Sequence, residues 1–328
     1  MNNTPVILLF GMPRSGTTWI GKIFDSHHQT LYRHEPDTWN KITTIPPLED
    51  SNDFLQHCKF INIYLDKMVK SRTASVNGKM PFFPKNYSSP IRQKMHQASV
   101  LLSGAASKII NAADLPIIRP VGIKNSVDYV IVWKSIQLLG RMGVISRCLE
   151  NHKGVLILRH PCGYIASILA GEKKNKFMSH TPASEDYQLY EKMATTQQAR
   201  RYGLTLEKLK QLTPEERLAW RWVIFNEKAF DDTKDNKNIT VLRYEDMCNN
   251  PHQTTKSLFE FCNLDWCQQT ENFLDSSTVK NVDSYYSVFK DPKESASKWK
   301  KQLSKDKIDN IGSIISATSI GKFYHNEL

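Results

Sequence analysis

Four short stretches of this chain place reactive side chains where an apolar run gives way to a turn. In Phe10-Gly11-Met12-Pro13-Arg14-Ser15-Gly16-Thr17-Thr18-Trp19, a strand-like run meets an amphipathic helical pattern. That is the context in which backbone amides at a helix start cradle an anion. From Gly11 the spacing fits G-x-x-x-x-G-K-[ST], but Thr17 stands at the lysine position and the basic group is Arg14, inside the loop. Losing that lysine disfavours ordinary Mg²⁺-dependent handling of a terminal phosphate. A second cation, Arg159, ends Val155-Leu156-Ile157-Leu158, and Pro161 follows at the first turn of a helix. Glu35 follows Thr30-Leu31-Tyr32-Arg33-His34 and precedes Pro36, which disfavours helical geometry at residue 35 and leaves the carboxylate at a strand end as a candidate general base. His34 would point to the opposite face in an alternating strand and ranks behind Glu35 as the base. Lys124 ends Gly122-Ile123-Lys124 with a further cation.

The elements that must carry these groups can be read from the same runs. Val6–Phe10, Val121–Lys124, Val155–Leu158 and Thr240–Arg243 read as buried parallel strands, with Thr30–His34 as a weaker fifth. Ile20, Ile23, Phe24 and His27 share one helical face after the first strand, and Leu218, Trp222 and Phe225 mark another helix downstream. Strands alternating with helices predict an α/β fold: a P-loop-type, doubly wound, mostly parallel sheet flanked by helices. Two strand-poor segments, about 39–120 and 172–214, read as helical insertions over the functional edge of the sheet. With no repeat and no linker, residues 1–328 are expected to form a single domain.

The chain has 328 residues, 40% of them hydrophobic, which excludes a disulfide miniprotein and a disordered tail. Its 44 basic and 33 acidic residues leave a net charge of +11, suited to an anionic ligand without choosing which. The N-terminal run reads as a strand rather than a signal peptide, and no window reaches the roughly 20 apolar residues needed to cross a bilayer. Six cysteines (58, 148, 162, 248, 262 and 267) form no Cys-x-x-Cys pair and no zinc pattern with histidine. Reduced thiols, no metal and a cytoplasmic setting are therefore expected.

Pro13-Arg14-Ser15-Gly16-Thr17-Thr18 resembles the 5′-phosphosulfate loop of sulfotransferases, the enzymes that use 3′-phosphoadenosine 5′-phosphosulfate (PAPS) and release 3′-phosphoadenosine 5′-phosphate (PAP). A sulfuryl group carries less negative charge than a terminal phosphoryl, so a cationic side chain and amide donors could stabilise the leaving phosphate without Mg²⁺. Arg159 and Ser167, eight residues apart, resemble the pair that holds the 3′-phosphate. Where the family often has another arginine, this chain has Gly171, so an extra cation would come from Lys173, Lys174 or elsewhere. Glu35-Pro36 resembles the tyrosylprotein and Golgi carbohydrate branches, in which a glutamate deprotonates the acceptor hydroxyl. Lys124 resembles the family's lysine at the bridging oxygen of the departing group. Val241-Leu242-Arg243-Tyr244-Glu245-Asp246-Met247 resembles another shared segment, which implies that Tyr244 faces the nucleotide. Ser284, Lys290 and Lys298-Trp299 resemble the loop closing over the cofactor phosphates, and Lys298 is carried over from it.

The resemblance implies a sulfotransferase with PAPS as co-substrate and a hydroxyl-bearing acceptor, a glycan or glycoconjugate first and a small hydroxylated metabolite second. Arg14 and Lys124 with the amides of Ser15, Gly16, Thr17 and Thr18 would stabilise the leaving group, Arg159 and Ser167 would hold the 3′-phosphate, and Glu35 would take the proton. A nucleotide kinase on the same architecture is disfavoured by Thr17. A noncatalytic polyanion-binding module has only charge and scattered aromatics behind it, and no nucleic-acid partner is expected.

Overall fold

The computed structural model describes residues 4–78, 80–109, 115–118, 122–123, 128–173, 181–279, 291–325 and 327. Five strands, β1 (Val6–Gly11), β2 (Thr30–His34), β3 (Val130–Ser135), β4 (His152–Leu158) and β5 (Ile239–Arg243), form one parallel sheet in the order β2-β3-β1-β4-β5. β1 is buried along its whole length, which is why it shows a continuous apolar run rather than alternation. The third strand corrects the sequence reading. It lies at Val130–Ser135 rather than Val121–Lys124; Gly122 and Ile123 belong to no strand, and Val121 and Lys124 lie outside the described residues. The Val-Ile-Val-Trp run fits that place because β3 sits between β1 and β2, where β-branched and aromatic side chains are covered on both faces.

Helix α1 (Thr17–Ser26) follows β1, and the short α2 (Pro36–Trp39) follows β2. The first strand-poor segment holds α3 (Leu55–Val69) and α4 (Pro90–Ile109). Helix α5 (Met142–Cys148) leads into β4, and α6 (Pro161–Lys173) leaves it. The second strand-poor segment holds α7 (Tyr187–Ala194), α8 (Gln197–Arg201) and α9 (Leu206–Gln211). Helix α10 (Pro214–Thr233) starts with Thr213 and Glu216 in a reciprocal capping box and precedes β5. After β5 come α11 (Tyr244–Asn249), α12 (Pro251–Phe261), α13 (Gln268–Val279), α14 (Pro292–Ser297), α15 (Trp299–Gln302) and α16 (Lys305–Ser316).

Helices cover both faces of the sheet. Ile20, Ile23 and Phe24 of α1 join Ile7, Leu9 and Val132 on one face. Leu218, Trp222 and Phe225 of α10 join Leu8, Phe10 and Trp133 on the other. The expectation of reduced thiols is corrected by a disulfide between Cys58 of α3 and Cys148 of α5, 90 residues apart, while Cys162, Cys248, Cys262 and Cys267 are unpaired. No local spacing could announce that pair, because only the packing of α3 on α5 brings the two together. Among the described residues no helix is long and apolar enough to cross a membrane.

Candidate active site

All five strands are parallel, so the segments that follow them open at one edge, where ligands of open α/β sheets gather. The loop after β1 lies centrally. Glu35 and the end of β3 flank it on one side, and Arg159 and Tyr244 flank it on the other.

The loop after β1 is tightly constrained. Gly16 caps α1 with φ 77°, and a Cβ there would sit 2.2 Å from the Tyr244 ring, so only glycine fits. Arg14 also has a positive φ of 69°. Its Nε donates to Ser167 Oγ at 2.9 Å, and its carbonyl accepts from Arg159 Nη1 at 2.6 Å. Arg159 also donates from Nη2 to Ser295 O at 2.8 Å, and its guanidinium lies 4.9 Å from the centre of the Tyr244 ring. The loop arginine, the arginine after β4, Ser167 and Tyr244 thus form one group. Two donors within it, Ser15 Oγ and Arg159 Nε, are buried with no hydrogen-bond partner among the described residues. Buried donors in that state cost free energy until an acceptor arrives, so the group offers hydrogen bonds that an anion can accept.

Further contacts hold this group in place. The buried Glu245 carboxylate accepts from His160 N at 3.0 Å and Tyr324 Oη at 3.0 Å, and burial pushes its pKa up. His160 stacks on Trp299 with ring centres 4.4 Å apart, and burial pulls its pKa down to about 4. Burial also raises the Tyr244 pKa, keeping the phenol neutral beside Arg159. Lys298 is exposed. Ser284, Lys290 and Lys174 lie outside the described residues.

On the other side of the loop, Glu35 leaves β2 in the left-handed region at φ 45°, directly before Pro36 at the start of α2. Its N–H donates to Lys134 O at 2.9 Å, and its carboxylate is ion-paired with Lys134 Nζ. His34 Nε2 lies 3.8 Å from the same carboxylate, and its Nδ1 is 2.8 Å from Tyr32 Oη. The expectation that His34 and Glu35 point apart is therefore corrected: residue 35 has left the strand, and strand alternation no longer governs it.

Lys134 and Asp37 were not singled out from the sequence. Lys134 is fully buried at the end of β3, and it was concealed by the misplaced third strand. Asp37 accepts from Ser135 Oγ at 2.8 Å and Trp133 Nε1 at 3.4 Å, tying α2 to β3, and burial pushes its pKa up to about 6. Lys124 itself lies outside the described residues. Away from this edge, His27, His28 and Cys267 present ligand atoms within 4.8 Å of one another. Both His27 ring nitrogens are already engaged, with Gln29 N and Asp265 O, so the trio is not arranged as a metal centre.

Comparison with known proteins adds one strong likeness. A family model described as "Sulfotransferase family" matches residues 5–268. No curated protein sequence matches the chain. Among solved structures, mouse sulfotransferase SULT7A1 complexed with PAP is 12% identical with a TM-score of 0.47, covering 99% of this chain and 89% of that one. The sulfotransferase domain of the Synechococcus PCC 7002 olefin synthase is 14% identical with a TM-score of 0.43, covering 94% of each chain. The sulfotransferase domain from the curacin biosynthetic pathway is 12% identical with a TM-score of 0.44, covering 95% and 98%.

Proposed function

The chain belongs to the sulfotransferase family, and from that premise we propose that its single domain transfers the sulfuryl group of PAPS to a hydroxyl of a carbohydrate or glycoconjugate. The observation that carries the reading is the pair of buried donors without partners, Ser15 Oγ and Arg159 Nε, in one group with Arg14, Ser167 and Tyr244. Such a group suits a nucleotide with phosphates at two positions. The loop amides of Ser15 to Thr18 and Arg14 would take the 5′-phosphosulfate, and Arg159 with Ser167 the 3′-phosphate. Occupation would require Arg14 to exchange Ser167 for the ligand, and Arg159 to exchange Ser295 O.

In the transfer step the acceptor oxygen bonds to sulfur as the sulfur–oxygen bond to the 5′-phosphate breaks. PAP departs, and Glu35 takes the acceptor proton. Lys134 is ion-paired with Glu35 and lies at the strand end where the family resemblance expects a lysine, so we assign it the leaving-group role first given to Lys124. The acceptor class rests on Glu35-Pro36; a small hydroxylated metabolite is the second reading. The expectation of a cytoplasmic setting rested on reduced thiols, and the Cys58–Cys148 bridge counts against that ground; alkylation and mass mapping of freshly isolated protein distinguish the two.

A thermal-shift titration tests the nucleotide assignment. PAP should raise the melting temperature while ATP with Mg²⁺ leaves it unchanged, because only a ligand bound to the native state stabilises it. A response to ATP and none to PAP would overturn the reading. Radiolabelled sulfuryl transfer to glycan and small phenolic or alcoholic acceptors then decides the acceptor class.

A further inference from the structure

Helix α4 is built inside out. Gln93, His96, Ser99 and Ser103 are buried, whereas Ile91, Leu102 and Ile109 are 74%, 68% and 83% exposed. The buried side packs Val100 against Ala74 and Ile117 and is otherwise held by polar contacts: Gln93 bridges Lys85 and Ser88, Ser99 Oγ accepts from Ile118 N, and Ser103 Oγ donates to Pro116 O. The outer face repeats apolar residues at 91, 95, 98, 102, 105 and 109, a continuous seam five turns long. The accumulation is local. Seven of the eleven exposed large apolar side chains among the described residues fall between Met80 and Ile118. A solvent-facing seam of that length has no folding reason, since burial of the same residues against the core would have been favourable.

Charge identifies what covers it. Between Lys70 and Lys124 the sequence has nine Lys or Arg and one Asp, and of these cations only Lys85 is buried in an ion pair, with Asp25, among the described residues. The helix itself contains Arg92, Lys94 and Lys108 and no acidic residue, and Arg92 and Lys94 are exposed beside the apolar seam. A second copy of the helix laid on the seam would bring basic flanks against basic flanks with no acid to pair them. An anionic bilayer surface satisfies both features, taking the apolar side chains below the headgroups and the cations at their level. We infer that α4 docks the protein in the plane of an anionic lipid surface, with Ile91, Met95, Leu102 and Ile109 as the inserted side chains and Arg92 and Lys94 as the headgroup contacts. The protein would be peripheral, on the membrane rather than through it.

Vesicle sedimentation of the full chain tests this independently of sulfuryl transfer. Vesicles of phosphatidylcholine with about one third phosphatidylserine should bind at least ~10-fold more tightly than pure phosphatidylcholine, and salt should weaken the binding. Leu102→Ser with Ile109→Ser should weaken it about tenfold, and Arg92→Ser with Lys94→Ser should abolish the anionic preference, with unchanged melting temperatures because all four side chains are exposed. Absence of binding to anionic vesicles, or binding indifferent to Leu102→Ser with Ile109→Ser, would overturn the inference. So would a concentration-dependent dimer in sedimentation velocity that the same double variant dissolves, since the occupant of the seam would then be a second copy.

Discussion

Lys134 and Glu35 come from the ends of neighbouring parallel strands, and they are joined twice, through the main chain and through the side chains. Glu35 N–H donates to Lys134 O, and the Glu35 carboxylate meets Lys134 Nζ. The main-chain contact continues the pairing of β2 with β3, while the left-handed φ at residue 35 takes its side chain out of strand alternation.

If Glu35 takes the acceptor proton, Glu35→Gln keeps the shape and removes the base. Turnover should fall by about 10²- to 10⁴-fold, the usual contribution of general base catalysis, while PAP affinity stays within a few-fold. Turnover near wild type would remove Glu35 from the mechanism.

Lys134→Ala asks a different question. It should lower kcat about 10²-fold or more with a smaller change in the KM for PAPS, as expected for a cation that acts on developing charge. Because Lys134 is fully buried, the variant also needs a melting curve; wild-type kcat in a folded variant would assign the leaving-group role elsewhere.

Gly16→Ala tests the geometry of the anion loop. Left-handed backbone costs a non-glycine residue about 1–3 kcal/mol, and the added methyl would overlap the Tyr244 ring. Destabilisation together with loss of the PAP-induced thermal shift is expected. A variant with native stability and a full PAP response would show that the loop and Tyr244 do not meet in the working enzyme.

The sequence made the candidate site's edge of the sheet legible where chemistry coincides with a change of period. Arg14 interrupts a strand-to-helix junction, and Arg159 with Pro161 ends an apolar run, so both could be placed by local pattern. Lys134 escaped for the same physical reason that β3 is central. The run before it is covered on both faces and shows no alternation to mark it as a strand. His34 was misjudged because alternation was carried one residue past the end of β2. The disulfide and the inverted face of α4 are tertiary facts. Neither leaves a local signature.

Asp37 predicts a pH dependence. Its carboxyl is buried against Trp133 and Ser135, and burial raises its pKa from 3.8 to about 6. A carboxyl with a higher pKa in the folded state binds its proton more tightly there. Between about pH 4 and pH 6 the folded protein holds more proton at this position than the unfolded chain, so stability falls as pH rises through that window. The loss is on the order of 3 kcal/mol, complete above the folded-state pKa and absent below the unfolded one. Asp37→Asn cannot ionise. Whatever constant offset its amide introduces, the stability of wild type minus that of the variant should decline by about 3 kcal/mol between about pH 4 and pH 7 in urea unfolding. A difference that stays flat across the window would mean that Asp37 is ionised throughout and that α2 is tied to β3 by a carboxylate.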